Sequence, residues 1–286
     1  TEHPDPGDPL HRFGVDDGEG YTDGKNRWWF AGAYLKYAQY NQLVQGGIAQ
    51  LAAAYIVTGD RAYAHKAAIL LDRVADLWPD FDYSTQGLVY ERYKYGGGVA
   101  GYVNYAIESA YDVRYLVLAY DQIFEGIRED GDLVKFLSAQ ARRYRLENPK
   151  SGFASIQRNI EDRIFRDVLA KPHKIRTNYP GTDAVIALIK TVLDWPGNRG
   201  EVMAALEEIV GRSVEVDGLS GEKGLTGYAV IAPRYLGQLL ELYARADSTL
   251  LPELLRRHPK LRQTYRFHID TWCGRQYYPF SGDCGS

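Results

Sequence analysis

The stretch from residue 31 to 80, "AGAYLKYAQYNQLVQGGIAQLAAAYIVTGD" (31–60) running into "DRAYAHKAAILLDRVADLWPD" (60–80), decides the fold class. Apolar residues recur at spacings of three and four, as on one face of a helix. The first run stops at Gly59, a residue that ends helices by entering the left-handed region. The second starts on Asp60, a good N-cap, and stops before Pro79, which disfavours helix in the residue ahead of it. Two helices joined by so short a link form a hairpin. The same pattern continues down the chain.

A loop, "YKYGGGVAGY" (93–102), follows the hairpin. The helical readings beyond it are "NYAIESAYDVRYLVLAYDQIF" (104–124), "GDLVKFLSAQARRYRLEN" (131–148), "SIQRNIEDRIFRDVLAK" (155–171), "TDAVIALIKTVLDWPG" (182–197), "GEVMAALEEIVGRSV" (200–214), "TGYAVIAPRYLGQLLELYARAD" (226–247) and "LLPELLRRHPKLRQTYRF" (250–267). No stretch alternates with period two for long, so no substantial sheet is expected. Residues 1–27 are rich in Pro, Gly and Asp and read as an irregular lead-in; residues 28–286 read as one all-α domain of antiparallel helical hairpins. Such pairs build either an open solenoid or an incomplete (α/α) toroid, whose loops surround a central cleft.

Composition narrows the function. The 286 residues carry a net charge of −3, so no overall basic field draws nucleic acid to the chain. No apolar run approaches the roughly 18 residues of a membrane span. Hydrophobic residues, at 45%, suffice for a sizeable core. The 23 tyrosines and 5 tryptophans can fill a core, which accounts for most of them, and can also line a groove and stack on sugar rings. The two cysteines, Cys273 and Cys284, are compatible with a short-range disulfide or with free thiols. The chain begins on Thr and ends on "FSGDCGS", which reads as a removed leader or an excised piece.

The polar groups worth following gather at one helix start, "HKIRTNYPGTDAVIALIK" (173–190). A helix needs one capping residue, yet Arg176, Asn178, Tyr179 and Asp183 stand together here. Asn before Pro-Gly is also an ordinary turn residue. Tyr228 opens a second helix after a Gly-flanked loop, where core packing is the plainer reading. Arg92 and Lys94, in "YERYKYGGG", suit an acidic ligand or a solvated loop equally. Tyr105, Trp28 and Trp29 are candidate stacking residues, with core as the alternative. Glu108 and Asp112 lie one helical turn apart, where ion pairs within the helix are commoner than catalytic acid pairs. His268, Asp270, Cys273, Asp283 and Cys284 cluster in sequence but fit no strong zinc template, and no metal or cofactor is expected.

Four stretches in order resemble the helical domain of the heparinase II/III-like polysaccharide lyases, relatives of alginate lyases. They are "VDDGEGYTDGKNRWWFAGAY" (15–34), "YIVTGDRAYAHKAAILLDRVADLWP" (55–79), the run from "IEDRIFRDVL" (160–169) to "IRTNYPGTDAVIALIKTVLD" (175–194), and "DGLSGEKGLTGYAV" (217–230). "YYPFSGDCG" (277–285) resembles the element that follows the toroid in that family. The resemblance implies an (α/α) toroid and β-elimination on a uronic-acid polysaccharide. It assigns Asn178 to neutralising the sugar carboxylate and Tyr228 to moving the proton. Arg92, Lys94, Tyr105, Arg176, Tyr179, Trp28 and Trp29 become the candidate substrate contacts. It also implies a secreted or periplasmic location and a following β-sandwich domain that this chain does not contain. Many relatives carry a His at or soon after the Asn. Here positions 179–183 are Tyr, Pro, Gly, Thr and Asp, and the nearest histidine is His173. The alternatives from other classes are a glycoside hydrolase, with two carboxylates about 5–10 Å apart across a cleft, and a non-catalytic carbohydrate-binding helical domain.

Overall fold

A computed structural model describes residues 7, 21–22, 24–25, 27–28, 32–81, 108–214 and 227–279, with the backbone alone at 21–22, 27–28 and 32–38. Among these residues the protein is all-α. The exceptions are a two-residue antiparallel pair, β1 (Tyr21–Thr22) with β2 (Arg27–Trp28), across the end of the segment read as irregular, and an isolated antiparallel bridge between Cys273 and Tyr277. Gly24, at φ 90, supplies the left-handed residue in the intervening turn. The chain divides into two compact units, Thr1–Tyr105 with Leu118–Ile160 and Ala106–Val117 with Glu161–Ser286.

In the first unit a π-helical run, Gly32–Gln45, leads into α1 (Gly46–Thr58), which packs on α2 (Arg61–Leu77). Both expected boundaries are present. Gly59 takes φ 70 and its N–H reaches the Tyr55 carbonyl. The Asp60 carboxylate accepts from the Ala62 N–H at 2.9 Å. The buried face of α2 is mostly alanine, at 64, 67, 68 and 75, with Leu71 and Val74 between. Small side chains let neighbours approach closely. Helix α3 (Ser109–Ile127) does so at Gly126, where a Cβ would stand 2.7 Å from the Tyr55 ring and 3.0 Å from Ala64 Cβ. Helices α4 (Gly131–Tyr144) and α5 (Phe153–Ile160) complete the unit, and Phe153 meets the Phe124 ring edge-on at 5.5 Å.

Buried in this unit is an ion network that the helical spacing does not announce. Asp72 and Asp76, one turn apart on α2, face inward onto Lys150, from the loop between α4 and α5. Lys150 Nζ donates to Asp72 and, at 2.7 Å, to Asp76. Asn159 of α5 donates to Asp72 Oδ1 at 2.9 Å and to Asp76 Oδ1 at 3.0 Å. Lys150 is 1% exposed, and its backbone, at φ 53, is fixed by Asn148 and Ser138. Burial pushes the Asp72 carboxyl up, and the Lys150 charge only partly offsets this.

In the second unit the start of α3 is joined by a π-turn (Glu161–Arg166), α6 (Asp167–Ala170), α7 (Gly181–Asp194), α8 (Arg199–Ser213), α9 (Ile231–Ala246), α10 (Leu250–Arg257) and α11 (Leu261–Asp270). Leu188 and Ile189 of α7, Leu206 and Ile209 of α8, and Leu236 and Leu240 of α9 are buried in its core. The Tyr243 hydroxyl is held by Thr191 at 2.5 Å and by the Ala187 carbonyl, and burial raises the phenol to about 12. The run 250–267, read as one helix, is two. Helix α10 ends at Arg257 and α11 begins at Leu261, because Pro259 has no N–H to donate and restricts His258 before it.

Candidate functional site

The turn before α7 belongs to the second unit. Its chain path is fixed at both ends. The Arg176 N–H donates to Ser109 Oγ at 2.9 Å, and the Arg176 carbonyl accepts from the Ala110 N–H at 3.4 Å. The Thr177 N–H donates to Thr182 Oγ1 at 2.9 Å, and the Gly181 N–H to the Asn178 carbonyl at 2.8 Å.

The four polar residues of this turn divide into two pairs. Tyr179 and Asp183 are engaged with α8. The Tyr179 hydroxyl donates to the Ile209 carbonyl at 2.8 Å, and the Arg212 guanidinium lies 4.5 Å from the Tyr179 ring centre. Arg212 also reaches Asp183 at 3.8 Å. Burial disfavours the charged form of both groups and pushes the pKa of the Tyr179 phenol and of the Asp183 carboxyl up. With its hydroxyl bonded and one ring face covered, Tyr179 is tied to α8.

Asn178 and Arg176 are different. Helix α7 has no side-chain cap: its N-cap position is Pro180, and the Asn178 carboxamide caps nothing. That carboxamide is half-buried and has no hydrogen-bond partner among the described residues. The turn uses only the Asn178 backbone. The Arg176 side chain is exposed, also without an ion-pair partner among them. Both stand at the N-terminal end of a 14-residue helix, where the backbone carries partial positive charge. The Asn178 amide nitrogen, the Arg176 guanidinium and the helix terminus can each donate, which suits an anion with acceptor oxygens.

Tyr228 is half-buried at the head of a short 3-10 turn, Tyr228–Val230, that runs into α9. Trp28 lies in β2, with its backbone alone described, and Arg92, Lys94, Tyr105 and Trp29 lie outside the described residues. Near the C-terminus, the His268 ring meets Phe267 and Tyr278 edge-on, and burial lowers its ionisation. Asp270 pairs with Arg266 at 3.0 Å, and Cys273 Sγ faces the Thr271 carbonyl at 3.5 Å. Among the described residues no group of three or more His, Cys, Asp or Glu side chains could hold a metal. Asp283 and Cys284 lie outside them.

Sequence reasoning passed over Thr177, Gly181 and Tyr235, which pack together behind the Asn178 turn. Tyr235 and Gly181, with Arg114, Ala184 and Leu188, also line a small apolar pocket with room for little more than a water molecule. Only the Pro-Gly step at 180–181 hinted at a close approach.

No family model, curated protein or solved structure matches the chain.

Proposed function

We propose that the chain is a polysaccharide lyase of the heparinase II/III-like kind, built on an (α/α) toroid and acting on a uronic-acid polysaccharide by β-elimination. The observation that carries this reading is the Asn178 carboxamide, which neither caps α7 nor bonds any described side chain. The sequence resemblance supplies the rest.

The reaction removes the proton on C5 of a uronate and expels the oxygen on C4. That proton is poorly acidic while the adjacent carboxylate keeps its full charge. A donor aimed at the carboxylate stabilises the enolate-like intermediate, as an oxyanion hole does. Asn178 donates without adding a titrating group. Arg176 and the α7 N-terminus add positive charge. Tyr228 takes the C5 proton and returns a proton to the leaving oxygen. An unperturbed phenol ionises near pH 10, so the bound site must favour its phenolate, which calls for a positive charge beside it. Arg92, Lys94, Tyr105, Trp28 and Trp29 are proposed to extend the grip along the sugar chain. The mechanism requires neither metal nor cofactor. A secreted or periplasmic location follows from such a substrate. Among the described residues no helix is long and apolar enough to cross a membrane.

The test is incubation with alginate, heparan, chondroitin and ulvan, beside a neutral glucan and a xylan, while following ultraviolet absorbance and reducing ends. Elimination raises both; hydrolysis raises reducing ends alone. Better cleavage of a neutral polymer than of every uronate polymer would overturn the reading. Arg176→Ala is expected to weaken binding about fivefold at low ionic strength, and less as salt screens the exposed guanidinium. Titration of the variant at two salt concentrations reads this out, and a salt-independent loss would count against a charge contact.

A further inference from the structure

Tyr228 and Tyr235 stand on one continuous helical run, seven residues apart, or roughly 10 Å along the axis. Tyr235 is 7% exposed. Its ring fills the space that a side chain at Gly181 would need: a Cβ there would lie 2.9 Å from Tyr235 Cζ and 2.4 Å from Thr177 Cγ2. Gly181 does not have a positive φ, so close approach requires the glycine, and backbone conformation does not. The residues in contact flank Asn178 on both sides. Thr177 precedes it, and Gly181 closes the turn onto its carbonyl. On its other side the Tyr235 ring lies 5.8 Å from that of Tyr111, next to the Ser109–Ala110 step that anchors Arg176. The starts of α3 and α7 thus meet α9 at one ring.

At the Tyr235 ring, packing alone secures this junction. The Tyr235 and Thr177 hydroxyls lie near each other, yet both are buried and neither makes a hydrogen bond of acceptable geometry. Losing the Tyr235 hydroxyl therefore forfeits no bond and relieves an unsatisfied buried group. Losing the ring removes the spacer between two helices.

We infer that Tyr235 is the positioning residue that sets the Asn178 carboxamide relative to the Tyr228 phenol. The inference rests on the lyase reading above for what the two groups do. Donor and proton carrier must meet one sugar at once, and a displacement of about 1 Å can cost about a hundredfold in rate.

The test is a set of three variants, Tyr235→Ala, Tyr235→Phe and Gly181→Ala, assayed on whichever uronate polymer the wild-type chain cleaves. Tyr235→Ala and Gly181→Ala are expected to lower kcat by about tenfold or more, with KM within about threefold, and Tyr235→Phe to restore kcat. An unchanged kcat in folded Tyr235→Ala, or a rise in KM alone, overturns the inference. If Tyr235→Ala does not fold, Gly181→Ala decides by the same criteria. Hydrogen exchange at the backbone amide of position 181, measured on the same proteins, separates a wrong reaction from a wrong role for Tyr235. If the wild type cleaves no uronate polymer, the lyase reading fails. Faster exchange of that amide in Tyr235→Ala, or in Gly181→Ala if the former does not fold, with wild-type exchange in Tyr235→Phe, still supports the positioning role. Unchanged exchange overturns it.

Discussion

Tyr228→Phe is expected to abolish turnover while leaving the fold and substrate binding nearly intact. Phenylalanine keeps the ring and its packing at the head of the 3-10 turn and removes the only part that can carry a proton. General acid–base groups contribute about 10²–10⁴-fold, and Tyr228 is proposed to serve as both base and acid, so the loss should fall at the upper end. Asn178→Ala should also lower kcat by about a hundredfold, on the scale of removing one oxyanion-hole donor. Its effect on KM should be smaller, because the bond strengthens as charge moves onto the carboxylate. Because the Asn178 side chain caps no helix and bonds no described residue, its removal should barely change stability. Single-turnover rates and thermal denaturation of the same samples separate these effects. Full activity in Tyr228→Phe, or an Asn178→Ala variant that is merely unstable, would reject the assigned roles.

Lys150→Met should produce the largest loss of stability. The substitution approximates the side-chain volume but leaves Asp72 and Asp76 facing each other without the cation that Lys150 Nζ provides. Breaking a buried pair by removing one partner costs about 3–5 kcal/mol, on the order of a 10 °C drop in Tm for a chain of this size. The pH dependence has a definite sign. Burial and carboxylate repulsion already raise the Asp72 carboxyl, and removing Lys150 raises it further. A carboxyl raised in the folded state binds a proton that the unfolded chain does not hold, so the variant gains stability as pH falls toward the ordinary Asp range near 4. The deficit against wild type should therefore be largest near pH 7 and narrow toward pH 5. Urea denaturation at both pH values checks this, and a loss below about 1 kcal/mol at pH 7 would show that the network is dispensable.

The helices were legible where local chemistry decides them. The Gly59 stop and the Asp60 cap act within a few residues of themselves, and both stand where the sequence puts them. The break at Pro259 was hidden because Leu254 and Leu261, seven residues apart, continue the helical period across it. The Lys150 network was illegible for a related reason. Asp72 and Asp76 at a four-residue spacing look like a solvated helix face, and only tertiary packing reveals that they point inward. At the candidate site, the sequence drew attention to the turn at 176–183. Sequence alone did not show that Tyr179 and Asp183 are tied to α8 while Arg176 and Asn178 are left unpaired among the described residues. Tyr235 was passed over, because a Gly181 contact more than fifty positions away leaves no periodic signal.

The most direct test of the central claim is the proton NMR spectrum of the product formed from a uronate polymer. Elimination leaves a double bond between C4 and C5 at the new non-reducing end, and so a vinylic signal from the proton on C4, in equal number to the new reducing ends. The wild-type chain should give that signal, and Tyr228→Phe should not. New reducing ends on saturated sugars, with no vinylic proton, would contradict the claim and identify hydrolysis in its place.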